Sequence, residues 1–255
     1  MTKIISFPAI MFLLNATLCS AQSAESGFLN RTVSLDGIEY RYQTYVPHNY
    51  NSTEKWPVML FLHGAGERGS DGLKQTQVGL GKAIRLNPER WQSIAVFPQV
   101  PAGESWQGIA GDIALAALDA TIAEFSVDES RLYLTGISLG GNGTWYLGYQ
   151  NTERFAALVS ICGFIDLGSR FPGFLPEAEN SFTALAKSLS KTPVWIVHGD
   201  ADVVVPVDQS RKIALALEAV GSDVHYTELP GVNHNAWDTA YANTDLIEWL
   251  FNQRR

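Results

Sequence analysis

The stretch "LYLTGISLGGNGTW", residues Leu132–Trp145, decides which fold this chain can adopt. Its first five residues are mostly apolar and predict a short buried strand, and the residues from 139 to about 150 predict a helix. Between them, Gly136 and Gly140 frame Ser138 and supply the small residues that a tight strand-to-helix turn requires. Ser138 is therefore either a nucleophile presented on this turn or a serine that caps the helix.

Short apolar runs recur along the chain and alternate with helical patterns. Most of the runs are continuously apolar, which is typical of strands buried on both faces of a sheet. Residues 112–125 and 211–220 carry apolar side chains at helical spacing. The alternation predicts an α/β fold, with a mostly parallel central sheet and helices on both faces. The predicted strands are Val58–His63, Ile94–Gln99, Leu132–Gly136, Ala156–Ile161, Val194–Gly199 and Val224–Leu229.

A different pattern precedes this region. In "GFLNRTVSLDGIEYRYQTYVP", two stretches flank Asp36 and Gly37, a residue pair that favours a two-residue hairpin turn. The second stretch, Tyr40–Val46, is rich in aromatic and β-branched residues. We expect an antiparallel hairpin at the edge of the sheet.

Residues 1–21 have the features of a secretory signal peptide. Lys3 precedes an apolar segment, and small residues lead to Ala21, after which we expect cleavage. The alternatives are a transmembrane anchor, for which the apolar segment is short and interrupted, and lipidation at Cys19. We expect a secreted or periplasmic protein with one domain over residues 28–255.

The chain without its first 21 residues would carry 17 basic and 26 acidic side chains, which argues against a nucleic-acid or anionic-membrane partner. Cys162 would be its one cysteine, so no internal disulfide is expected. Closely spaced histidine and cysteine ligands are absent from the sequence, and we expect no metal and no cofactor.

Polar side chains follow three of the predicted strands, at the sheet edge where active groups gather in parallel sheets. Ser138 follows the third strand, "HGDADVVVP" contributes Asp200 and Asp202, and "LPGVNHNAWDTAY" contributes His234. A serine, an aspartate and a histidine in this chain order form the α/β-hydrolase version of the catalytic triad. The pattern predicts Ser138 as nucleophile and His234 as base, with either aspartate as the acid.

The first buried strand ends in "FLHGAGERG", whose small residues leave the backbone accessible. We expect the N–H groups of Ala65 and Leu139 to form an oxyanion hole, and His63 to be structural. Trp106, Trp145 and Trp237 are candidate substrate-binding residues, with core packing as the alternative for the first two. A Gly/Pro-rich segment, Phe164–Glu179, is expected to cap the site.

The motifs "FLHGAGERG", "FPQVPAGESW", "GISLGGNGTW" and "HGDADVVVP" resemble those of small secreted esterases of the α/β-hydrolase superfamily. They are similar to the "predicted peptidase" group, which is close to the feruloyl and acetylxylan esterases of carbohydrate esterase family one. The resemblance runs from about Val58 to His234. It implies an α/β-hydrolase fold and, through the pattern His-Gly-x-x-Asp-x-x-Val-Pro, it implies Asp202 as the acid.

The resemblance and the triad together predict a secreted serine hydrolase that cleaves carboxylic esters through an acyl-enzyme. Feruloyl or acetyl esters on polysaccharides, or small-molecule esters, are the expected substrates. A secreted peptidase and a lipid or short-chain carboxylesterase are alternative hydrolases. A binding module that keeps the fold without the chemistry is a third alternative.

Overall fold

The structure is a computed structural model that describes residues 25–175 and 178–255. The predicted signal peptide, residues 1–21, and Cys19 within it lie outside the described residues, so the division into a signal peptide and one domain stays a prediction. Within the described part of the chain, no helix is long and apolar enough to cross a membrane. The strands are β1 (Gly27–Leu35), β2 (Ile38–Val46), β3 (Trp56–Leu62), β4 (Ile94–Pro98), β5 (Val127–Ile137), β6 (Ala157–Ile161), β7 (Val194–Gly199) and β8 (Val224–Leu229). The helices are α1 (Leu80–Leu86), α2 (Ile109–Glu124), α3 (Leu139–Gln150), α4 (Ser181–Ser188), α5 (Asp208–Ala219), α6 (Trp237–Ala242) and α7 (Thr244–Asn252).

The eight strands form one sheet in the order β1-β2-β4-β3-β5-β6-β7-β8. Strands β3 to β8 run parallel to one another. Strands β1 and β2 add an antiparallel hairpin at one edge. Leu35 pairs with Ile38 across the hairpin, and Asp36 and Gly37 have φ angles of 50° and 79°. Two positive φ angles make the tight turn that matches the strand twist. The predicted mostly parallel sheet with an antiparallel edge hairpin is confirmed.

Helices cover both faces of the sheet. Leu60 and Leu62 of β3 pack into the core beneath α2, α3, α4 and α5, whereas Met59 and Phe61 pack against α1, α6 and α7. Successive side chains of a strand point to opposite faces, so each residue of β3 faces an apolar layer. This arrangement explains why the central strands are continuous apolar runs in the sequence.

The largest difference from the predicted strands is at β5. The predicted run began at Leu132, but the strand begins at Val127 and pairs with Trp56 of β3. Its first half is polar and partly exposed, and Asp128 there bonds to Ser130 and Arg131. Because these residues are polar, the apolar pattern of the sequence did not predict them as part of the strand. Strands β7 and β8 have the predicted bounds.

Candidate active site

Ser138 lies at the turn from β5 into α3, with a φ angle of 54° and a ψ angle of −114°. A positive φ is costly for a residue other than glycine and persists only where the surroundings enforce it. The Ser138 N–H donates to the carbonyl oxygen of Ile161 at 2.8 Å. A Cβ on Gly140 would overlap the carbonyl oxygen of Leu62, and one on Gly136 would overlap Gly140. The Ser138 side chain makes no capping hydrogen bond to α3, so the helix-cap alternative is wrong.

The structure brings Ser138, His234 and Asp202 into one hydrogen-bonded row. The Ser138 hydroxyl lies 2.9 Å from His234 Nε2, and His234 Nδ1 lies 2.7 Å from Asp202 Oδ2. The three residues follow β5, β8 and β7, whose carboxyl ends meet at the same edge of the sheet. Because an ionised carboxylate only accepts, Nδ1 donates to Asp202 and Nε2 accepts from the serine hydroxyl. His234 Nε2 can therefore take the proton from the Ser138 hydroxyl.

The side chain of Asp202 is buried and remains ionised. Burial opposes its charge, but hydrogen bonds from His198, His234 and the N–H groups of Val205 and Val204 outweigh burial and hold the pKa of Asp202 well below its usual range. Oδ1 accepts the Val204 and Val205 N–H groups at 2.8 and 2.9 Å. These bonds leave Oδ2 for the two histidines.

Asp200, the other candidate acid, faces away from the row. It is exposed, and its Oδ1 accepts the Gly231 N–H at 2.6 Å, which ties the loop after β7 to the loop after β8. Asp202 alone of the two aspartates contacts His234. The geometry therefore agrees with the pattern that favoured Asp202.

Ala65 and Leu139, the predicted oxyanion-hole residues, line the cavity beside Ser138. Ala65 is the first residue of a short 3-10 helix over residues 65–67, and Leu139 is the first residue of α3. The first N–H groups of a helix have no acceptor within it. Among the described residues, neither group donates to an acceptor outside its own helix. Both residues line the cavity that contains Ser138, where their N–H groups can bind an oxygen anion.

The loop that carries Ala65 is held by buried side chains. His63 is fully buried; its Nδ1 donates to the Gly64 carbonyl oxygen at 2.6 Å, and its Nε2 accepts the Val100 N–H at 3.0 Å. Burial lowers the pKa of His63 to about 4, so the ring is neutral at neutral pH. The Trp106 indole N–H donates to the His63 carbonyl oxygen at 3.0 Å. His63 is therefore structural, as predicted.

The three candidate tryptophans have different surroundings. Trp106 and Trp145 are 0% and 1% exposed and pack in the core beneath α2 and α3. Core packing, the alternative given for these two candidates, is therefore what the structure shows: the Trp106 indole donates inward to the His63 carbonyl oxygen, and Trp145 is buried on α3. Trp237 is half-buried, lines the cavity and meets the His234 ring edge-on, with a centroid distance of 5.5 Å.

The cavity above Ser138 has a volume of about 310 Å³ and mostly apolar walls. The segment after β6, which the sequence predicted to cap the site, contributes apolar side chains from Phe164, Leu167 and Phe171. A larger depression of about 590 Å³ lies beside the β1–β2 hairpin and contains none of the triad residues. The cavity lining is Gly64, Ala65, Gly66, Glu67, Ile137, Ser138, Leu139, Phe164, Leu167, Arg170, Phe171, Val204, Val205, His234 and Trp237.

Cys162 lies behind the triad, a position that the sequence analysis did not foresee. Ligand atoms of Cys162, Asp202 and His234 lie within 4.8 Å of one another, close enough to be considered as a metal site. Burial raises the pKa of the Cys162 thiol, and the neutral S–H donates to the His234 carbonyl oxygen at 3.3 Å. The ring nitrogens of His234 and the Oδ2 atom of Asp202 already take part in hydrogen bonds with each other and with Ser138. We therefore interpret Cys162 as a support for the loop that carries His234.

Comparisons with known proteins agree with this architecture. A family model described as phospholipase/carboxylesterase matches residues 112–245, more than half of the chain and a span that includes Ser138, Asp202 and His234. The crystal structure of a thermostable esterase superposes with a TM-score of 0.77 and 30% identity, over 89% of this chain and 63% of that one.

Two curated relatives cover most of this chain. An uncharacterized secreted protein of Arthroderma benhamiae is 27% identical over 85% of this chain and 26% of its own length. The probable feruloyl esterase C of Aspergillus terreus is 25% identical over 79% of this chain and 70% of its own length. The chain thus spans about a quarter of the length of the secreted protein. It spans about half of the length of two other curated relatives.

Proposed function

Because the chain belongs to the phospholipase/carboxylesterase family, we propose that it is a serine hydrolase that cleaves carboxylic esters. The observation that carries the proposal is the row from Ser138 through His234 to Asp202, with distances of 2.9 and 2.7 Å, at the base of an apolar cavity. A serine and a histidine within hydrogen-bond reach, with a third group that orients the histidine, are the requirements for nucleophilic catalysis.

The proposed reaction begins with formation of an acyl-enzyme. Ser138 Oγ attacks the ester carbonyl carbon while His234 Nε2 takes the hydroxyl proton, and Asp202 stabilises the resulting imidazolium. The tetrahedral intermediate then collapses, the bond to the alcohol oxygen breaks, and His234 gives its proton to the departing alcohol. Water repeats the same steps in the second half-reaction and releases the carboxylic acid.

The Ala65 and Leu139 N–H groups would stabilise the oxyanion of both tetrahedral intermediates. Such donors matter most where water is excluded, because their dipoles are already oriented when the charge develops. Loss of one donor typically lowers turnover about 10²- to 10³-fold. The loop with Ala65 therefore has to be held rigidly, which is the role that the contacts of His63 and Trp106 support.

We expect Trp106→Phe to lower kcat for a simple ester about 10-fold, a fraction of the loss of a whole oxyanion donor, with KM nearly unchanged. The substitution leaves the His63 carbonyl without its indole donor and loosens the loop two residues before Ala65. Trp145→Phe, equally buried but without a hydrogen bond to that loop, is the matched control and should affect stability alone. Steady-state kinetics on both variants measure the difference. A higher KM with unchanged kcat would instead assign Trp106 to substrate binding.

The proposed substrates are esters with an apolar or aromatic acyl group. Phe171 and Trp237 offer aromatic walls to the cavity of about 310 Å³, a volume at the small end of ligand pockets. Feruloyl or acetyl esters on polysaccharides fit such a site, and one relative is named a probable feruloyl esterase. The predicted signal peptide and the relative named as a secreted protein support export of the protein.

A panel of substrates tests the proposal. It comprises p-nitrophenyl acetate, butyrate and longer esters, methyl ferulate and a peptide amide, each with the wild-type protein and with Ser138→Ala. We expect turnover of several esters, little or none of the amide, and none by the variant. Ester cleavage is the easier reaction because it releases an alcohol and needs no protonation of a poor amine leaving group. A strong preference for the amide would contradict the esterase proposal.

A further inference from the structure

Asp202 Oδ2, the oxygen that binds His234, also accepts a hydrogen bond from a second histidine. His198 Nε2 lies 3.1 Å from Asp202 Oδ2, and His234 Nδ1 lies 2.7 Å from the same oxygen. His198 is the fifth residue of β7, and its side chain is completely buried. None of the steps proposed above uses this buried imidazole.

The partners of His198 determine where its proton lies. Nε2 also lies 3.1 Å from the carbonyl oxygen of Val205. Neither a carbonyl oxygen nor an ionised carboxylate can donate, so Nε2 carries the hydrogen and is shared between the two acceptors. Nδ1 lies 2.7 Å from Ser210 Oγ in α5. In a neutral ring Nδ1 accepts from this hydroxyl, so both ring nitrogens are satisfied without a charge on His198.

We infer that His198 is a positioning residue for ester hydrolysis, held in turn by Ser210, and that it fixes the carboxylate of Asp202 in the orientation that His234 requires. The inference rests on the proposed function. It extends the row of hydrogen bonds to five side chains, which are Ser210, His198, Asp202, His234 and Ser138.

The packing around β7 supports a role beyond filling space. Ile196, two residues earlier, points to the same face of the sheet and packs in the core beneath α5. An apolar side chain at position 198 would suit that layer, whereas a buried imidazole is costly unless its nitrogens are bonded. The bonds of His198 run to the carboxylate on one side and to α5 on the other. They therefore tie the acid to β7 and α5 in addition to its own loop.

The orientation of the Asp202 carboxylate matters because its two oxygens bind different partners. Oδ1 is held by backbone N–H groups of its own loop, at Val204 and Val205. Oδ2 has to stay in line with His234 Nδ1 while the imidazole gains and loses a proton. Without the His198 donor, Oδ2 keeps one partner and can turn about the bonds to Oδ1. Loss of one hydrogen bond to a charged group typically changes an equilibrium about 10- to 100-fold.

The test compares His198→Asn with His198→Gln. The amide nitrogen of glutamine reaches the position of imidazole Nε2 and can donate to Asp202. The amide nitrogen of asparagine reaches only the position of Nδ1, beside Ser210. Both variants bury an amide of similar polarity, so a purely structural role predicts similar losses. His225→Asn, on the exposed part of β8, is the matched control for a histidine outside the row.

With p-nitrophenyl acetate as substrate, we expect His198→Asn to lower kcat about 10- to 100-fold with KM within about two-fold. His198→Gln should recover most of that loss, and Ser210→Ala should lower kcat only a few-fold. Equal kcat values for the asparagine and glutamine variants would overturn the inference, as would an asparagine variant with unchanged kcat. If the asparagine variant does not fold, a kcat for Ser210→Ala equal to that of the wild type would overturn it.

The controls keep this inference separate from the proposed function. Wild-type protein that cleaves no ester in the substrate panel would contradict the function itself. Wild-type protein that is active, Ser138→Ala that is inactive, and His198 variants that are indistinguishable would contradict the positioning role alone. The thermal midpoint of each variant shows how much of any loss reflects unfolding.

Discussion

Ser138→Ala is expected to lower kcat/KM for esters by about 10⁵- to 10⁶-fold, because it removes the only atom that the mechanism uses to attack the carbonyl carbon. His234→Ala is expected to cost a similar factor, since the Ser138 hydroxyl then has no group 2.9 Å away to take its proton. The two residues act as one unit, so the double variant should lose little more than either single one. Steady-state kinetics on the three variants, with p-nitrophenyl acetate, measure these factors.

Matched controls separate this effect from damage to the fold. Ser169→Ala changes an exposed serine in the segment after β6, and His225→Ala changes an exposed histidine on β8. Both should retain the wild-type rate. Losses for Ser138→Ala and His234→Ala that multiply in the double variant would mean that the two residues act independently, which is incompatible with a hydrogen-bonded triad.

Asp202→Asn is expected to lower kcat about 10⁴-fold, the factor typical of an acid-to-amide change in a serine triad. The Val204 and Val205 N–H groups keep the amide oxygen at the position of Oδ1, so the amide nitrogen replaces Oδ2 and donates toward His234 Nδ1. His234 must then change its tautomer so that Nδ1 accepts. His234 Nε2 is left protonated and can no longer accept from Ser138. KM should change little because Asp202 does not line the cavity.

Asp200→Asn is the matched control for this prediction. Among the described residues, the Asp200 side chain bonds to the Gly231 N–H alone, and asparagine can accept the same bond through its carbonyl oxygen. We expect its kcat to stay within a few-fold of the wild-type value. A larger loss for Asp200→Asn than for Asp202→Asn would show that the acid has been assigned to the wrong aspartate.

The sequence predicted the sheet well because its central strands are buried on both faces. Such strands are continuous apolar runs, and β7 and β8 have the predicted bounds. The approach of the serine, histidine and aspartate was also predictable, because the carboxyl ends of parallel strands meet at one edge of a sheet. Ser138, Asp202 and His234 each follow a different strand, so their mutual approach depends on topology alone.

The sequence could not predict the direction of a side chain where that direction depends on packing between distant segments. Trp106 follows a strand and was a candidate for the cavity, but its indole N–H donates inward to the carbonyl oxygen of His63, 43 residues earlier. The role of His198 depends on the approach of α5, which brings Ser210 to its second nitrogen. Strand alternation gave one signal, since His198 points to the same face as Ile196. The hydrogen-bond partners of its two nitrogens follow only from the three-dimensional structure.

The proposed mechanism depends on Ser138 as a nucleophile that His234 activates. The most direct measurement is covalent labelling of the folded protein with a fluorophosphonate, followed by mass spectrometry of the labelled peptide. We expect a single phosphonylated residue, Ser138, and no labelling of Ser138→Ala or His234→Ala. Well-folded wild-type protein that remains unlabelled, or that is labelled at another serine, would contradict the proposed mechanism.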